Sequence, residues 1–421
     1  MPKHKIITQA EKKIVLGNFF SLSTLQGINY ILPVLVLPYL IRVIGPEKFG
    51  LIAFAQSFVQ YFMILTDYGF SLSATRKISL CAKEKTCVIF SSVMTVKIML
   101  AALSFLVMSA VVYFIPRFRH EWLVFVLSFG AVIGNTLFPA WFFQGKEKMI
   151  YTASINIAGG VIYALSVFAF IKGPGDYLLL PLFNSLFFLA TGFIGLHIAF
   201  REFKLEYVFQ TYKDIREELR TGWNIFISTI AINAYTTTRI FIVGLLTNNT
   251  LTGFYAIAEK IAGVIQSFPL DALTQAVYPR LSKIFHKNKK RSLKLMYRLQ
   301  HSTTITYTIS LPIAILLSPL IVRVVCGKAY PETIITLRFL IAGVYFVVAN
   351  AFRTQFLLVS GKSDAYSRIH VAAAWVGLPV LLYSVWLFSY LGAAFSTVAI
   401  ELGILVLTLK VMARFKKGLA V

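Results

Sequence analysis

The chain has 421 residues, 57% of them apolar, 15% aromatic and only 14% charged, and its mean hydropathy is +0.74. Runs of about 20 residues are apolar all round, long enough to cross about 30 Å of hydrocarbon and unlike the one-sided stripe of a soluble helix. A soluble enzyme or transcription factor is excluded, and so is a membrane β-barrel, whose strands are half as long and alternate in polarity. Lys and Arg number 41 against 17 Asp and Glu, a formal charge of +24, which in a membrane chain reads first as loop cations retained on the cytoplasmic side and not as a nucleic-acid footprint.

Twelve candidate spans follow in order. The first six cover residues 14–40, 49–65, 88–115, 122–143, 150–171 and 177–200; after a charged break come 223–246, 251–276, 303–325, 334–359, 369–388 and 391–413. No loop approaches the size of a folded domain, so the function must be built inside the helix bundle. The basic N-terminus precedes an apolar run too long for a signal-peptide core, with no small-residue cleavage site after it, and is expected to stay as the first helix.

Placed on alternate sides, most cations gather on the side of the two termini. Arg42, Lys48, Arg117, Arg119, Lys172, Arg323 and Lys328 fall opposite, and Lys97, Arg239, Lys260, Arg338 and Arg353 fall within spans. With loops this short, the positive-inside bias puts both termini in the cytoplasm. Cys81 and Cys87 then lie on the cytoplasmic side and Cys326 near the other, which argues against a structural disulfide.

The two halves resemble each other around the second span of each. "FGLIAFAQS" from Phe49 overlays "TGFYAIAEK" from Thr252, matching Gly50 with Gly253, Ala53 with Ala256 and Ala55 with Ala258. An even number of spans per half makes the repeats parallel, around an axis along the membrane normal. The expected fold is an all-α polytopic membrane protein of twelve transmembrane helices in two six-helix bundles related by pseudo-two-fold symmetry, with a central cavity. The bundles are residues 1–203 and 221–421, joined by a cytoplasmic linker at 204–220. This is the architecture of an alternating-access transporter.

A charged side chain at mid-bilayer costs at least about 2.5–3.5 kcal/mol on insertion scales, so the five cations within spans require a reason. In the seventh span, Asn224, Ser228, Tyr235 and Arg239 fall within about 60° of one another at helical periodicity, beside Thr238, and form a polar stripe ending in a cation. The first span repeats the pattern with Asn18, Ser21, Gln26, Asn29 and Pro33 on one face. Both stripes are expected to face a water-filled cavity. The eighth span carries Glu259, Lys260, Gln266 and Asp271. Two readings stand for the charges: internal pairing, with Lys260 on Glu259 or Asp271 and Lys97 on Glu401, or cations lining a cavity for an anionic substrate. Arg239 and Lys260 fit the second best, whereas Arg338 and Arg353, nearer span ends, can snorkel.

"GKSD" at Gly361 lacks the earlier glycine of a phosphate-binding loop, the six histidines show no paired metal spacing, and no cofactor or metal is called for. "PRLSKIFHKNKKRSLKLMYRLQ" from Pro279 has eight Lys/Arg and no acid, and suits the anionic lipids of the inner leaflet better than nucleic acid.

"PYLIRVIGPEKFG" from Pro38, "DYGFSLSATRKIS" from Asp67, "TGFYAIAEKI" and "QFLLVSGKSDAY" together resemble Wzx-type (RfbX-like) O-antigen and polysaccharide repeat-unit flippases of the multidrug/oligosaccharidyl-lipid/polysaccharide exporter superfamily. The likeness runs over essentially the whole chain. It implies two six-helix bundles in a V, residence in a bacterial inner membrane, and transfer of an undecaprenyl-pyrophosphate-linked oligosaccharide from the cytoplasmic to the periplasmic leaflet. It also implies an O-antigen polymerase and a chain-length regulator as partners. In that family Arg42, Gly45, Pro46 and Gly50 form the turn between the first two helices, and Asp67 and Arg76 stand at the cytoplasmic end of the second. Many relatives carry an acid just before the arginine of the seventh span; this chain has Thr238 there, so an ion-coupling role does not carry over to that position. Asp67, Glu259, Asp271 and Glu401 are the remaining candidates for proton or sodium coupling. Two other classes compete. A polymerase or ligase of O-antigen assembly would need a large periplasmic loop, and a multidrug/cation antiporter would need a carboxylate-rich cavity.

Overall fold

The computed structural model describes residues 9–81 and 83–420. It is all-helical among those residues, and a helix is one of the two ways, with the closed barrel, in which a chain in hydrocarbon satisfies its backbone groups without water. The helices are α1 Gln9–Asp67, α2 Phe70–Leu80, α3 Lys83–Phe114, α4 Pro116–Arg119, α5 Trp122–Leu137, α6 Ala140–Gly145, α7 Met149–Phe170 and α8 Leu179–Glu202, then α9 Tyr212–Thr236, α10 Thr238–Leu246, α11 Asn249–Lys287, α12 Lys289–Leu316, α13 Ser318–Cys326, α14 Pro331–Val359 and α15 Ser363–Ala420. Local chemistry sets their ends. Asn248 accepts from the Leu251 amide and Asn288 from the Arg291 amide, each at 2.9 Å, as N-caps of α11 and α12. Proline opens α4 and α14, and left-handed Gly327 closes α13.

Among the described residues, seven helices are long and apolar enough to cross a membrane, or eight if α12 and α13, bent by 62°, form one crossing. The sequence led us to expect twelve. Part of the difference is that one of the seven holds two expected spans, and another holds the second span with the end of the first. Val34–Leu80 (47 residues) includes a break at Gly45, and Ser363–Lys416 (54 residues) includes one at Ser389. A straight helix of 54 residues would be about 80 Å long. The chain instead doubles back: there is no room for a Cβ on Gly392 beside the Ser384 backbone, and one on Gly377 would lie 2.9 Å from Ile400. α15 is therefore an antiparallel helical pair. The rest of the difference lies in α9 to α11, where Glu259, Lys260 and the polar stripe dilute the hydropathy.

At Gly45 the expected turn is present, with φ 75° and ψ 168° inside an otherwise helical run, and Pro46 begins the next segment. Four residues on, that segment meets α11 backbone to backbone. A Cβ on Gly50 would collide with the Asn249 carbonyl and lie 2.8 Å from the Gly253 Cα, and one on Gly253 would collide with the Pro46 carbonyl. In the overlay of the two halves Pro46 corresponds to Asn249 and Gly50 to Gly253, so the contact is reciprocal, as it is at a two-fold axis.

Large apolar side chains remain outside, among them Leu106, Phe114, Leu165, Trp375 and Trp386, each more than 60% exposed. Apolar surface on this scale requires lipid around it. The chain is a multi-pass membrane protein. Its connecting segment is docked and not free: the Val208 amide donates to Ser91 Oγ at 3.0 Å, and Lys77 on α2 pairs with Glu218 on α9 at 2.8 Å.

Candidate functional site

The Gly45 end of the molecule is sealed, and two arginines from the first part of the chain help seal it. Arg42 donates to the carbonyls of Val324 and Val325, the latter at 3.4 Å, at the C-terminus of α13. Arg117 on α4 donates through Nε to the Gly244 carbonyl at 2.7 Å and lies 5.6 Å from the centroid of the Phe54 ring. Gly244 belongs to the last turn of α10. Each cation thus meets the negative end of a helix dipole, where carbonyls have no partner within the helix. Beneath them Phe241 of α10 stacks on Phe54 and Phe58 of α1, with centroids 5.5 and 5.8 Å apart.

Below this seal lies a cavity of about 690 Å³ between α1, α7, α8 and α11. Most of its wall is apolar, including Leu32, Leu37, Phe49 and Phe187. Its polar side chains are Gln56, Asn156, Asn184, Ser267 and the Tyr163 hydroxyl, and Lys260 is the single charged group among the described lining residues. Lys260, Gly263, Val264 and Ser267 recur at helical spacing and turn one face of α11 to the cavity.

Glu259 points elsewhere, since adjacent residues on a helix lie about 100° apart. Its Oε1 is 3.6 Å from Arg239 Nε and 3.5 Å from the Tyr255 hydroxyl. Arg239 also donates to Thr397 Oγ1 at 3.0 Å, and Glu401, one turn along α15, interacts electrostatically with the same guanidinium. Two carboxylates thus share one arginine on α10, α11 and α15. Of the internal pairings considered from sequence, Glu259 goes to Arg239 with Lys260 as a further electrostatic neighbour of the same carboxylate, the Asp271 side chain lies outside the described residues, and Lys97 finds partners other than Glu401. Lys97 is 2% exposed, donates to the Asn135 carbonyl at 3.4 Å and has Asp67 as its electrostatic neighbour.

The other expected residues are dispersed. Asp67 accepts from Ser71 at 2.8 Å and not from Arg76, whose side chain is exposed. Arg338 donates to Ser318 at 3.0 Å and Arg353 to the Ala349 carbonyl of its own helix; neither lines the cavity. The side chains of Asn29, Asn224, Tyr235 and Asp271 lie outside the described residues. Sequence reasoning did not single out Gln56, Asn156, Asn184 or Thr397. The signal available for the first three was a lone carboxamide in an otherwise apolar run.

A profile of the polysaccharide biosynthesis protein family matches residues 15–285. A protein of Escherichia coli (strain K12) carrying the provisional name O-antigen transporter is 30% identical over 91% of this chain and 93% of its own length. The chain belongs to the polysaccharide biosynthesis protein family. A second relative with the same provisional name, from Shigella dysenteriae, is 25% identical over 89% of this chain and 93% of its own. The names of these two relatives bear out the expectation of a transporter and not an enzyme. Among solved structures, the inward closed lipid II flippase MurJ superposes with a TM-score of 0.69 at 14% identity, covering 94% of this chain and 87% of that one. An inward-facing multidrug resistance MATE family transporter of the MOP superfamily gives 0.65 at 13% identity, covering 92% and 94%. At such identities the likeness is one of fold, and it places this family member in the fold shared by MurJ and MATE transporters.

Proposed function

We propose that this protein carries an undecaprenyl-pyrophosphate-linked oligosaccharide, an O-antigen repeat unit or a similar saccharide, from the cytoplasmic to the periplasmic leaflet of a bacterial inner membrane by alternating access. The observation that carries the reading is the cavity: one ammonium, Lys260, set in a mostly apolar wall with a few hydrogen-bonding groups. That combination suits an amphiphile with an anionic linkage, a hydroxyl-rich head and a hydrocarbon tail. Unaided, such a headgroup cannot cross, because each unpaired hydroxyl and each phosphate charge is costly in hydrocarbon. A cavity open sideways to lipid lets the head pass while the tail stays in the bilayer.

In this reading the chain forms two six-helix bundles, residues 1–203 and 221–421, joined by the cytoplasmic segment 204–220. Both termini are cytoplasmic and the Gly45 end is periplasmic. Arg42 and Arg117 then hold the periplasmic side shut, and their release from α13 and α10 opens it. Two anionic charges leaving a negative-inside cell gain roughly 2.3 kcal/mol each per 100 mV, so the membrane potential alone favours export. The Arg239, Glu259 and Glu401 cluster offers a place where a proton or sodium ion could add to that drive, and a polymerase and chain-length regulator would receive the product.

The test is translocation of a labelled undecaprenyl-pyrophosphate oligosaccharide in proteoliposomes, scored with an impermeant reagent with and without an imposed potential. Protein-dependent movement that speeds up with potential is the expected result. Exchange of an organic cation without movement of the lipid would turn the reading to an antiporter.

A further inference from the structure

Three carboxamides reach the cavity from three different helices: Gln56 from α1, Asn156 from α7 and Asn184 from α8. All three are half-buried, and none makes a hydrogen bond to another described residue. A carboxamide offers two donors and an acceptor with two lone pairs, and leaving these unmatched against apolar walls is unfavourable unless water or a ligand satisfies them. Ser267 adds a hydroxyl on the α11 side, and Lys260 supplies the one cation. Among the described lining residues there is neither a carboxylate nor a second cation.

This inventory specifies more than an amphiphile. A group that both donates and accepts, such as a sugar hydroxyl or an acetamido substituent, matches a carboxamide in either orientation. A carboxylate on a sugar ring would find its two oxygens facing apolar wall and amide groups, while the one cation among the described lining residues is already engaged by the linkage phosphate. Its hydration would be lost without an opposite charge to replace it. We propose that the cavity selects a lipid-linked headgroup whose saccharide is uncharged, with Lys260 reading the anionic linkage, Gln56, Asn156 and Asn184 reading neutral hydroxyl or acetamido groups, and acidic sugars rejected. This rests on the lipid-linked saccharide reading above and adds to it the charge class of the sugar. Discrimination of this kind comes as much from the group left unpaired in the wrong ligand as from contacts made in the right one.

The experiment uses the full chain in lipid nanodiscs and three synthetic probes on one short polyprenyl pyrophosphate: no sugar, a neutral disaccharide, and the same disaccharide with one hydroxymethyl group oxidised to a carboxylate. Binding is measured by competition against a fluorescent neutral probe, or directly by calorimetry where no competition occurs. The neutral disaccharide should bind at least about tenfold tighter than the uronate, equivalent to about 1.4 kcal/mol, and also tighter than the bare pyrophosphate. Gln56→Lys should narrow or reverse the preference by giving the carboxylate a counter-charge. Asn156→Lys, on a different helix, repeats the test if the first variant does not fold. Equal binding of the neutral and acidic probes by the native chain, or bare pyrophosphate binding as tightly as the neutral disaccharide, overturns the proposal while leaving the flippase reading intact. Failure of all three probes to bind a chain with an intact thermal transition overturns both.

Discussion

Replacing Arg117 by methionine keeps the aliphatic stem and removes the guanidinium that holds the Gly244 carbonyl at 2.7 Å. A hydrogen bond from a charged group contributes about 1.5–3 kcal/mol, and the equilibrium between the sealed and opened Gly45 end should shift towards opening by about 10- to 150-fold. The chain contains its own reporter. Cys326 is 4% exposed at the end of α13, and the only other cysteines are Cys81 and Cys87, which can be replaced by serine. If the thiol reacts only when that end opens, its modification by a membrane-impermeant maleimide should accelerate by the same factor. Because Arg117 contacts α10 and not α13, faster labelling cannot come from local uncovering of the thiol. Arg119→Met is the control: Arg119 lies 5.6 Å from the Tyr113 ring, and its loss should change the rate by less than about twofold. An unchanged rate in Arg117→Met would refute the claim that arginine-to-helix contacts hold this end shut.

Gly253→Ala places a methyl 2.7 Å from the Pro46 carbonyl carbon and should cost about 1–3 kcal/mol through forced separation of α1 and α11, lowering the thermal midpoint. Gly403→Ala, with nothing within 4 Å, should leave it in place, and equal midpoints would contradict the packing argument. Lys260→Ala and Arg239→Ala should each slow lipid translocation more than Arg353→Ala does, and three equal rates would remove the cavity and the α10 cluster from the mechanism. Thr211, through its hydroxyl and then its amide, holds the Asp214 carboxyl below its ordinary value at the start of α9. Its stabilisation should therefore be complete above the ordinary carboxylate range and vanish only as pH falls through the lowered value. The stability difference between the native chain and Asp214→Asn should stay flat down to roughly pH 5 and shrink below that; a difference that grew on acidification would contradict the cap.

Much of the fold could be read from the sequence because hydrocarbon leaves a chain few choices: long apolar runs had to be helices, and Gly45 followed by Pro46 had to interrupt one. The reversal at Ser389, a non-glycine residue at φ 55°, falls between the expected spans 369–388 and 391–413; the number of crossings was harder to read in α9 to α11, where charged and polar residues interrupt the apolar runs. Within the site, Lys260 was legible as a cation in a span. Its separation from Glu259 was also available in principle, because neighbours on a helix face different ways. Arg117 gave no signal, since a loop arginine looks like any other until the carbonyl it caps is known. The three carboxamides lie on remote parts of the chain, and only tertiary packing brings them to one cavity.

The contact of Gly50 with Gly253 also bears on how the two halves could diverge. Away from the axis, each copy of a duplicated helix is free to drift towards its own neighbours. At the axis a residue's neighbour is its own counterpart, so a larger side chain on either copy collides with the other, and neither can change alone. Resemblance between the halves should therefore persist longest there, and it is there, in "FGLIAFAQS" and "TGFYAIAEK", that the two halves match.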